Sequence, residues 1–182
     1  MAKSVLFLAA GFEEIEATSI VDTLRRAGVE VVIAGLQAGA IEGGHGIKVV
    51  PDTTIEEIDV EKFDVVILPG GYPGYVNLGN DRRVLDALKR AFEMGILVAA
   101  ICGAPSVLAK AGILKGKKAT IYPGMETELT GAEIVNERVV VDGKIVTSQG
   151  PGTAVEFGVK LAEILAGEKR ARELKSALIA NF

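Results

Sequence analysis

A chain of 182 residues that is 49% hydrophobic can bury one substantial core but is short for two, so residues 1–182 are read as a single domain. Its 20 Lys and Arg against 24 Asp and Glu leave a net charge of -4 with no basic run, which argues against nucleic acid as a partner. One cysteine and one histidine allow neither an internal disulfide nor a dedicated structural zinc site, so the expectation is a cytoplasmic protein without metal or cofactor.

The first apolar run, near Ser4–Ala9, is too short to cross a membrane, and Glu13, Glu14 and Glu16 follow too soon for a signal peptide. It reads as a buried strand. A helix is expected from Gly11 to about Arg26, stopped by Gly28, with Ala17, Ile20, Val21, Leu24 and Ala27 as its apolar stripe and Glu14 and Arg25 on the opposite face. Glu16 lies one turn before Ile20 and so borders the buried stripe. It is either an ordinary first-turn helix charge or a partly buried acid of raised pKa aimed above the sheet. Asp22 and Arg26, four apart and off the stripe, are either a surface pair or part of a dimer contact.

Glu30–Leu36 is a second strand, and the glycine-rich stretch from Gln37 to Pro51 reads as a small hairpin outside the main sheet. The only histidine, His45, sits there between Gly44 and Gly46, where an exposed loop position is the better reading. Phe63–Pro69 is a continuous apolar strand ending in Gly70 and Gly71. Glycines after a strand form a plain turn or let a backbone N–H approach an anion; the Lys-Ser/Thr of a P-loop is missing. Asp81–Met94 is an amphipathic helix with Val84, Leu85, Leu88, Ala91 and Phe92 inward.

Leu97–Ile101 is uninterrupted apolar, as expected of a central strand covered on both faces, and Cys102 follows directly. Gly103 permits a sharp turn and Pro105 suits the first turn of a helix, so the cysteine stands at a strand–helix elbow above the sheet. Strained backbone is expected at such a position. The positive end of the following helix should favour thiolate over thiol. A buried structural cysteine is the commoner use of this residue, but the elbow favours the reactive reading.

Further on, Lys117–Tyr122 reads as a short strand followed by a polar loop through Gly131, and Arg138–Ser148 as a hairpin turning at Asp142-Gly143. A helix with apolar residues nearly all round, from Val155 to Leu165, should be well buried, and Glu168–Leu178 forms a more exposed final helix. Strands alternating with helices imply a parallel sheet covered on both faces, with ligands beyond the carboxyl ends of the strands. Glu16, Gly70, Gly71, Cys102 and Gly103 all fall at such ends.

Five motifs carry a resemblance that spans essentially the whole chain: Gly11-Phe-Glu-Glu-Ile-Glu16, Arg25-Arg-Ala-Gly28, Asp64-Val-Val-Ile-Leu-Pro-Gly-Gly71, Ala99-Ala-Ile-Cys-Gly-Ala-Pro105 and Thr147-Ser-Gln-Gly-Pro-Gly-Thr153. Together they resemble the ThiJ/PfpI superfamily, in the branch of the Parkinson's-disease-associated protein deglycase. The resemblance implies a flavodoxin-like α/β three-layer sandwich, a homodimer, Cys102 as nucleophile with Glu16 hydrogen-bonded to its sulfur, and the N–H groups of Gly71 and Gly103 as an anion site. It also implies ready oxidation of Cys102 to sulfinate, with the acid proton of Glu16 as donor.

Two positions depart from that branch. Tyr122 stands where it has a histidine beside the cysteine, and a phenol of reference pKa near ~10 is a poor base at neutral pH. His45 stands where an arginine is usual. Gly70, Tyr122 and His45 are therefore the supporting positions to examine. The protease-like branch places a histidine directly after the cysteine; here that residue is Gly103, which disfavours peptide cleavage. The expected function is a cysteine-dependent glyoxalase or deglycase acting on small dicarbonyls such as methylglyoxal or on glycated groups. An oxidative-stress sensor or holdase chaperone ranks second and a cysteine peptidase third.

Overall fold

The computed structural model describes residues 1–182. Its first apolar run is strand β1 (Lys3–Leu8), followed by helix α1 (Glu14–Arg26) and β2 (Glu30–Gly35). A two-stranded hairpin, β3 (Ile41–Glu42) and β4 (Lys48–Val49), then leaves the main sheet, as the glycine-rich sequence suggested. The short β5 (Thr53–Thr54) precedes β6 (Val65–Leu68), α2 (Gly74–Asn80), α3 (Arg82–Glu93), β7 (Leu97–Ile101) and α4 (Pro105–Lys110). The remainder comprises β8 (Lys118–Ala119), β9 (Glu133–Ile134), β10 (Val139–Asp142), β11 (Ile145–Ser148), α5 (Ala154–Ala166) and α6 (Glu168–Ala177).

Seven strands form one sheet in the order β10-β11-β7-β6-β1-β2-β5, parallel except for β10. Successive side chains of a strand point to opposite faces, and the sequence uses both. Val5 and Phe7 of β1, Val66 and Leu68 of β6, and Val98 and Ala100 of β7 face the core that also holds Val84, Leu88 and Leu108. Leu6 and Leu8, Val65 and Ile67, and Ala99 and Ile101 face the other, shared with Ile20, Leu24, Phe157 and Leu161. Burial on both faces explains the unbroken apolar runs of β6 and β7. No helix is long and apolar enough to cross a membrane.

Three elements differ from the sequence reading. The strand expected over Lys117–Tyr122 is only β8, paired with β9 outside the main sheet. Beyond it the backbone bonds elsewhere: the Thr120 N–H goes to Thr147 Oγ1 at 2.9 Å and the Tyr122 N–H to the Cys102 carbonyl at 2.9 Å. Helix α2 was not foreseen, because Pro73, Gly74 and Gly79 mask its periodicity. Helix α5 is buried along Phe157, Leu161 and Ala162, but Ile164 is exposed.

Candidate active site

The parallel strands β1, β6 and β7 end side by side, which brings three loops together above the sheet. Cys102, the first residue after β7, has φ 62° and is one of two non-glycine residues with positive φ. Left-handed backbone costs an L-residue roughly 1–2 kcal/mol. The surroundings over-determine it: the Cys102 N–H donates to the Ser148 carbonyl at 3.0 Å, and its carbonyl accepts the Tyr122 N–H. The strained elbow expected from the sequence is present.

Glu16 reaches the same point from the first turn of α1. The Glu13 N–H donates to the Gly70 carbonyl at 2.9 Å, which seats the helix start on the loop after β6. The Glu16 side chain is fully buried, with Oε2 accepting the Gly70 N–H at 2.7 Å and Oε1 lacking any hydrogen-bond partner. Gly70 must be glycine here, since a Cβ would fall 2.6 Å from Cys102 Cβ and 2.9 Å from Glu16 Oε2. Gly71 has φ 91°, and its Cα lies against the backbone of Phe12 and Glu13. The N–H groups of Gly71 and Gly103 both act on the Cys102 sulfur. Glu16, Gly70, Gly71, Cys102 and Gly103 thus form one cluster.

Burial raises the Glu16 carboxyl to about 7, against the Gly70 N–H and the Cys102 side chain, which pull it down. Burial also pushes the Cys102 thiol up to about 12, helped by the charge and hydrogen bond of Glu16 and opposed by the Gly71 and Gly103 N–H groups. This corrects the expectation that the following helix favours the thiolate: α4 has only six residues, and desolvation outweighs its end. The acid and the thiol are coupled, so their protons belong to the pair.

Tyr122 touches this cluster through its backbone and is itself half exposed, with its ring near Gly150. His45 lies apart on the hairpin loop, its side chain 73% exposed and its Nδ1 3.0 Å from Glu14 Oε2. Glu14, expected on the exposed helix face, is buried instead. Its Oε1 accepts the N–H groups of His45 at 2.7 Å and Ile47 at 3.3 Å, so the hairpin loop covers it. Glu13, Glu14 and His45 bring three possible ligand atoms within 4.8 Å of one another, although the Glu14 oxygens already serve the loop. Asp22 and Arg26 form an exposed pair at 2.6 Å.

Sequence reasoning passed over Tyr75. Its ring lies against Gly103, where a Cβ would come 2.7 Å from two ring carbons. Burial raises its phenol pKa, with further contributions from Glu128, Tyr72 and Cys102. Its place four residues after Gly71, in the Tyr72-Pro-Gly-Tyr75 stretch that leads into α2, was the available signal.

The sequence matches the DJ-1/PfpI family over residues 2–164. The chain belongs to the DJ-1/PfpI family. Within it, the chain is 43% identical over 186 aligned positions to Protein dj-1beta of Drosophila melanogaster, with 100% of both chains covered. The crystal structure of that DJ-1beta matches with a TM-score of 0.96 at 42% identity, covering 100% of this chain and 99% of the other. Glutathione-independent glyoxalase DJR-1.2 of Caenorhabditis elegans is 33% identical over 168 positions, covering 91% and 89%. Oxidized Toxoplasma gondii DJ-1 matches at 37% identity with a TM-score of 0.96 and full coverage of both chains. The flavodoxin-like α/β sandwich is therefore the DJ-1 fold.

Proposed function

We propose that this protein is a cysteine-dependent glyoxalase that converts small α-dicarbonyls such as methylglyoxal to hydroxy acids. One observation carries the reading: a fully buried carboxyl of pKa about 7 meets, at a strained elbow, a thiol whose pKa the Gly71 and Gly103 N–H groups draw down. The name of the nematode glyoxalase relative supports it.

Cys102 sulfur adds to the aldehyde carbon, and the carbonyl oxygen takes a proton to give a hemithioacetal. The Gly71 and Gly103 N–H groups face the developing oxyanion, each worth about 3 kcal/mol. Glu16, with an unpartnered oxygen, takes the proton from the former aldehyde carbon and returns it to the neighbouring carbonyl carbon, while the hemithioacetal hydroxyl proton moves to that carbon's oxygen. The first carbon is thereby oxidised to a thioester and the second reduced to an alcohol, with no outside oxidant. Water cleaves the thioester, releasing lactate and the thiol. On a glycated amine, the same attack forms C–S, breaks C–N and sends the amine away with a proton.

The test is lactate formation from methylglyoxal by wild type, Cys102→Ala and Glu16→Ala. Activity should vanish in the first variant and fall at least about 100-fold in the second. Lactate formation by Cys102→Ala, or none by wild type, would overturn the reading.

A second reading, oxidation sensing, draws on the same donors and on the relative solved in its oxidized form. Two equivalents of peroxide would place two oxygens on sulfur and leave two waters, the sulfinate accepting from the backbone N–H groups and from protonated Glu16. Intact mass after mild peroxide should rise by two oxygens in wild type and not in Cys102→Ala. A cysteine peptidase is disfavoured because the only histidine is held by Glu14. We also read the α1 face as a homodimer contact, because an apolar cleft of about 190 Å³ lined by Leu8, Val21 and Val49 opens along α1, and Ile15, Ile47 and Val50 are more than half exposed. Sedimentation of a monomer alone would remove that assignment.

A further inference from the structure

A second concavity opens beside Tyr75. This groove, of about 370 Å³, runs between α2 and α4 and is lined by Tyr75, Gly79, Asn80, Ser106, Lys110 and Glu128 among others. Three features tie it to the Cys102 cluster and to a charged ligand. The Tyr75 ring that helps line it is the one against Gly103, and Ser106 Oγ donates to the Gly103 carbonyl at 2.6 Å. Tyr75 thus lines the groove together with Glu128 while its ring lies on the residue that follows the thiol. Finally, Lys110 and Glu128 face the same groove with opposite charge and form no ion pair with each other. Lys110 Nζ donates only to Asn80 Oδ1, at 3.0 Å, and Glu128 has no cationic partner.

The glycine in the groove is informative as well. Gly79 is the penultimate residue of helix α2. Its φ is not positive, and a Cβ would meet Val107 at an ordinary 3.4 Å. Backbone geometry does not demand glycine there. The lack of a side chain keeps the groove open.

We propose that this groove binds the zwitterionic head of an α-amino acid, Glu128 receiving the α-ammonium and Lys110 the α-carboxylate, while the amino acid's side chain passes Tyr75 toward Cys102. The assignment rests on the carbonyl reading only for what that side chain carries: a glycated amine whose adduct carbon is presented to the thiol. Free glycated amino acids are then preferred over the same adducts on residues within a protein, whose α-groups are amides.

The probe is Nε-(1-carboxyethyl)lysine, a stable, unreactive compound with a free amino-acid head and a carboxylate tail suited to the Gly71 and Gly103 donors. It is compared by calorimetry with its Nα-acetyl methylamide, whose head is uncharged. Wild type should bind the free form about tenfold more tightly. Lys110→Gln and Glu128→Gln should each weaken the free form about threefold to fivefold, the scale of an exposed ion pair, and leave the capped form unchanged. Both residues are exposed, so neither variant endangers folding. Equal affinity for the two probes, indifference to both substitutions, or no binding at millimolar probe would overturn the proposal. Methylglyoxal, which has no amino-acid head, should be turned over equally by wild type and both variants. Absence of that turnover in wild type removes the glyoxalase reading while the probe titrations still decide the groove.

Discussion

The Gly70 N–H donates to Glu16 Oε2 at 2.7 Å, while the other oxygen of that carboxyl is buried with no partner. An ionised carboxylate would leave that second oxygen unsolvated, a penalty that falls on the charged form and less on the neutral acid. This is the physical content of a pKa raised from 4.5 to about 7. A carboxyl whose folded pKa exceeds its unfolded value contributes stability that is fully present below about 4.5 and is lost as pH rises through about 7. At 1.36 kcal/mol per pH unit the loss amounts to about 3 kcal/mol. Glu16→Gln, which keeps the shape without the charge, should match wild type near about pH 4 and exceed it by up to that amount near about pH 8. Denaturant unfolding at the two pH values checks this, and an unchanged difference between them would contradict it.

The same coupling sets the pH dependence of turnover. Reaction requires the Glu16 and Cys102 pair to carry one negative charge, whichever atom holds the remaining proton. For wild type, kcat/KM on methylglyoxal should therefore rise as pH passes about 7, the point at which the pair loses its first proton. In Glu16→Gln the only titrating member is the thiol. Freed from the charge of Glu16 but still buried, its pKa falls below about 12 yet stays above that of an ordinary cysteine. The rising limb should then move to higher pH and the plateau fall at least about 100-fold. An unshifted limb would show that Glu16 does not govern the thiol.

Gly70 is the tightest steric constraint on the cluster. Adding one methyl there drives Cys102 Cβ and Glu16 Oε2 apart, so Gly70→Ala should lose about 1–3 kcal/mol of stability. Turnover should fall by about 100-fold or more, because a displacement near 1 Å at reacting groups costs that much. Gly152→Ala is the control, since a Cβ at that position meets nothing within 4 Å. Equal activity in the two variants would remove Gly70 from the site.

The features legible in the sequence are those written in neighbouring residues. Val65–Leu68 and Leu97–Ile101 are unbroken apolar because both faces of β6 and β7 are covered, and Cys102 betrays its φ through the strand before it and Gly103 and Pro105 after it. Glu16 was marked by its place beside the stripe of Ile20 and Leu24. What escaped depends on distant partners. Glu14 belongs to the outer face of α1 by periodicity alone, and only the loop 31 residues later buries it. Tyr75 lies at the start of α2, whose period is masked by Pro73, Gly74 and Gly79, and its meaning comes from Gly103. Helical position likewise suggested a charge effect at Cys102, but desolvation, which only the assembled fold fixes, overrides it.

The hairpin loop covers Glu14 and is tied to it through two backbone N–H groups. Burial pushes that carboxyl up, but hydrogen bonds from the His45 ring and from the His45 and Ile47 N–H groups outweigh it and hold the pKa below 4.5. The same contact raises His45 above 6.5, with the Glu13 and Glu14 charges adding to it. A lowered carboxyl contributes stability above its unfolded value and loses it as pH falls through the folded one. A raised imidazole contributes below its unfolded value and loses it as pH rises through the folded one. Between about 4.5 and about 6.5 both contributions are present, so protection of the His45 and Ile47 amides from hydrogen exchange should be greatest there. Glu14→Ala should abolish that protection, because both amides donate to Glu14 Oε1. Glu14→Gln, which retains an accepting oxygen but no charge, should keep part of it and flatten the pH dependence. His45→Ala should leave the two backbone bonds in place and remove only the loss above about 6.5. Full protection in Glu14→Ala would mean that the hairpin holds its place by Gly44 N–H on the Phe12 carbonyl and Gly11 N–H on the Glu42 carbonyl alone.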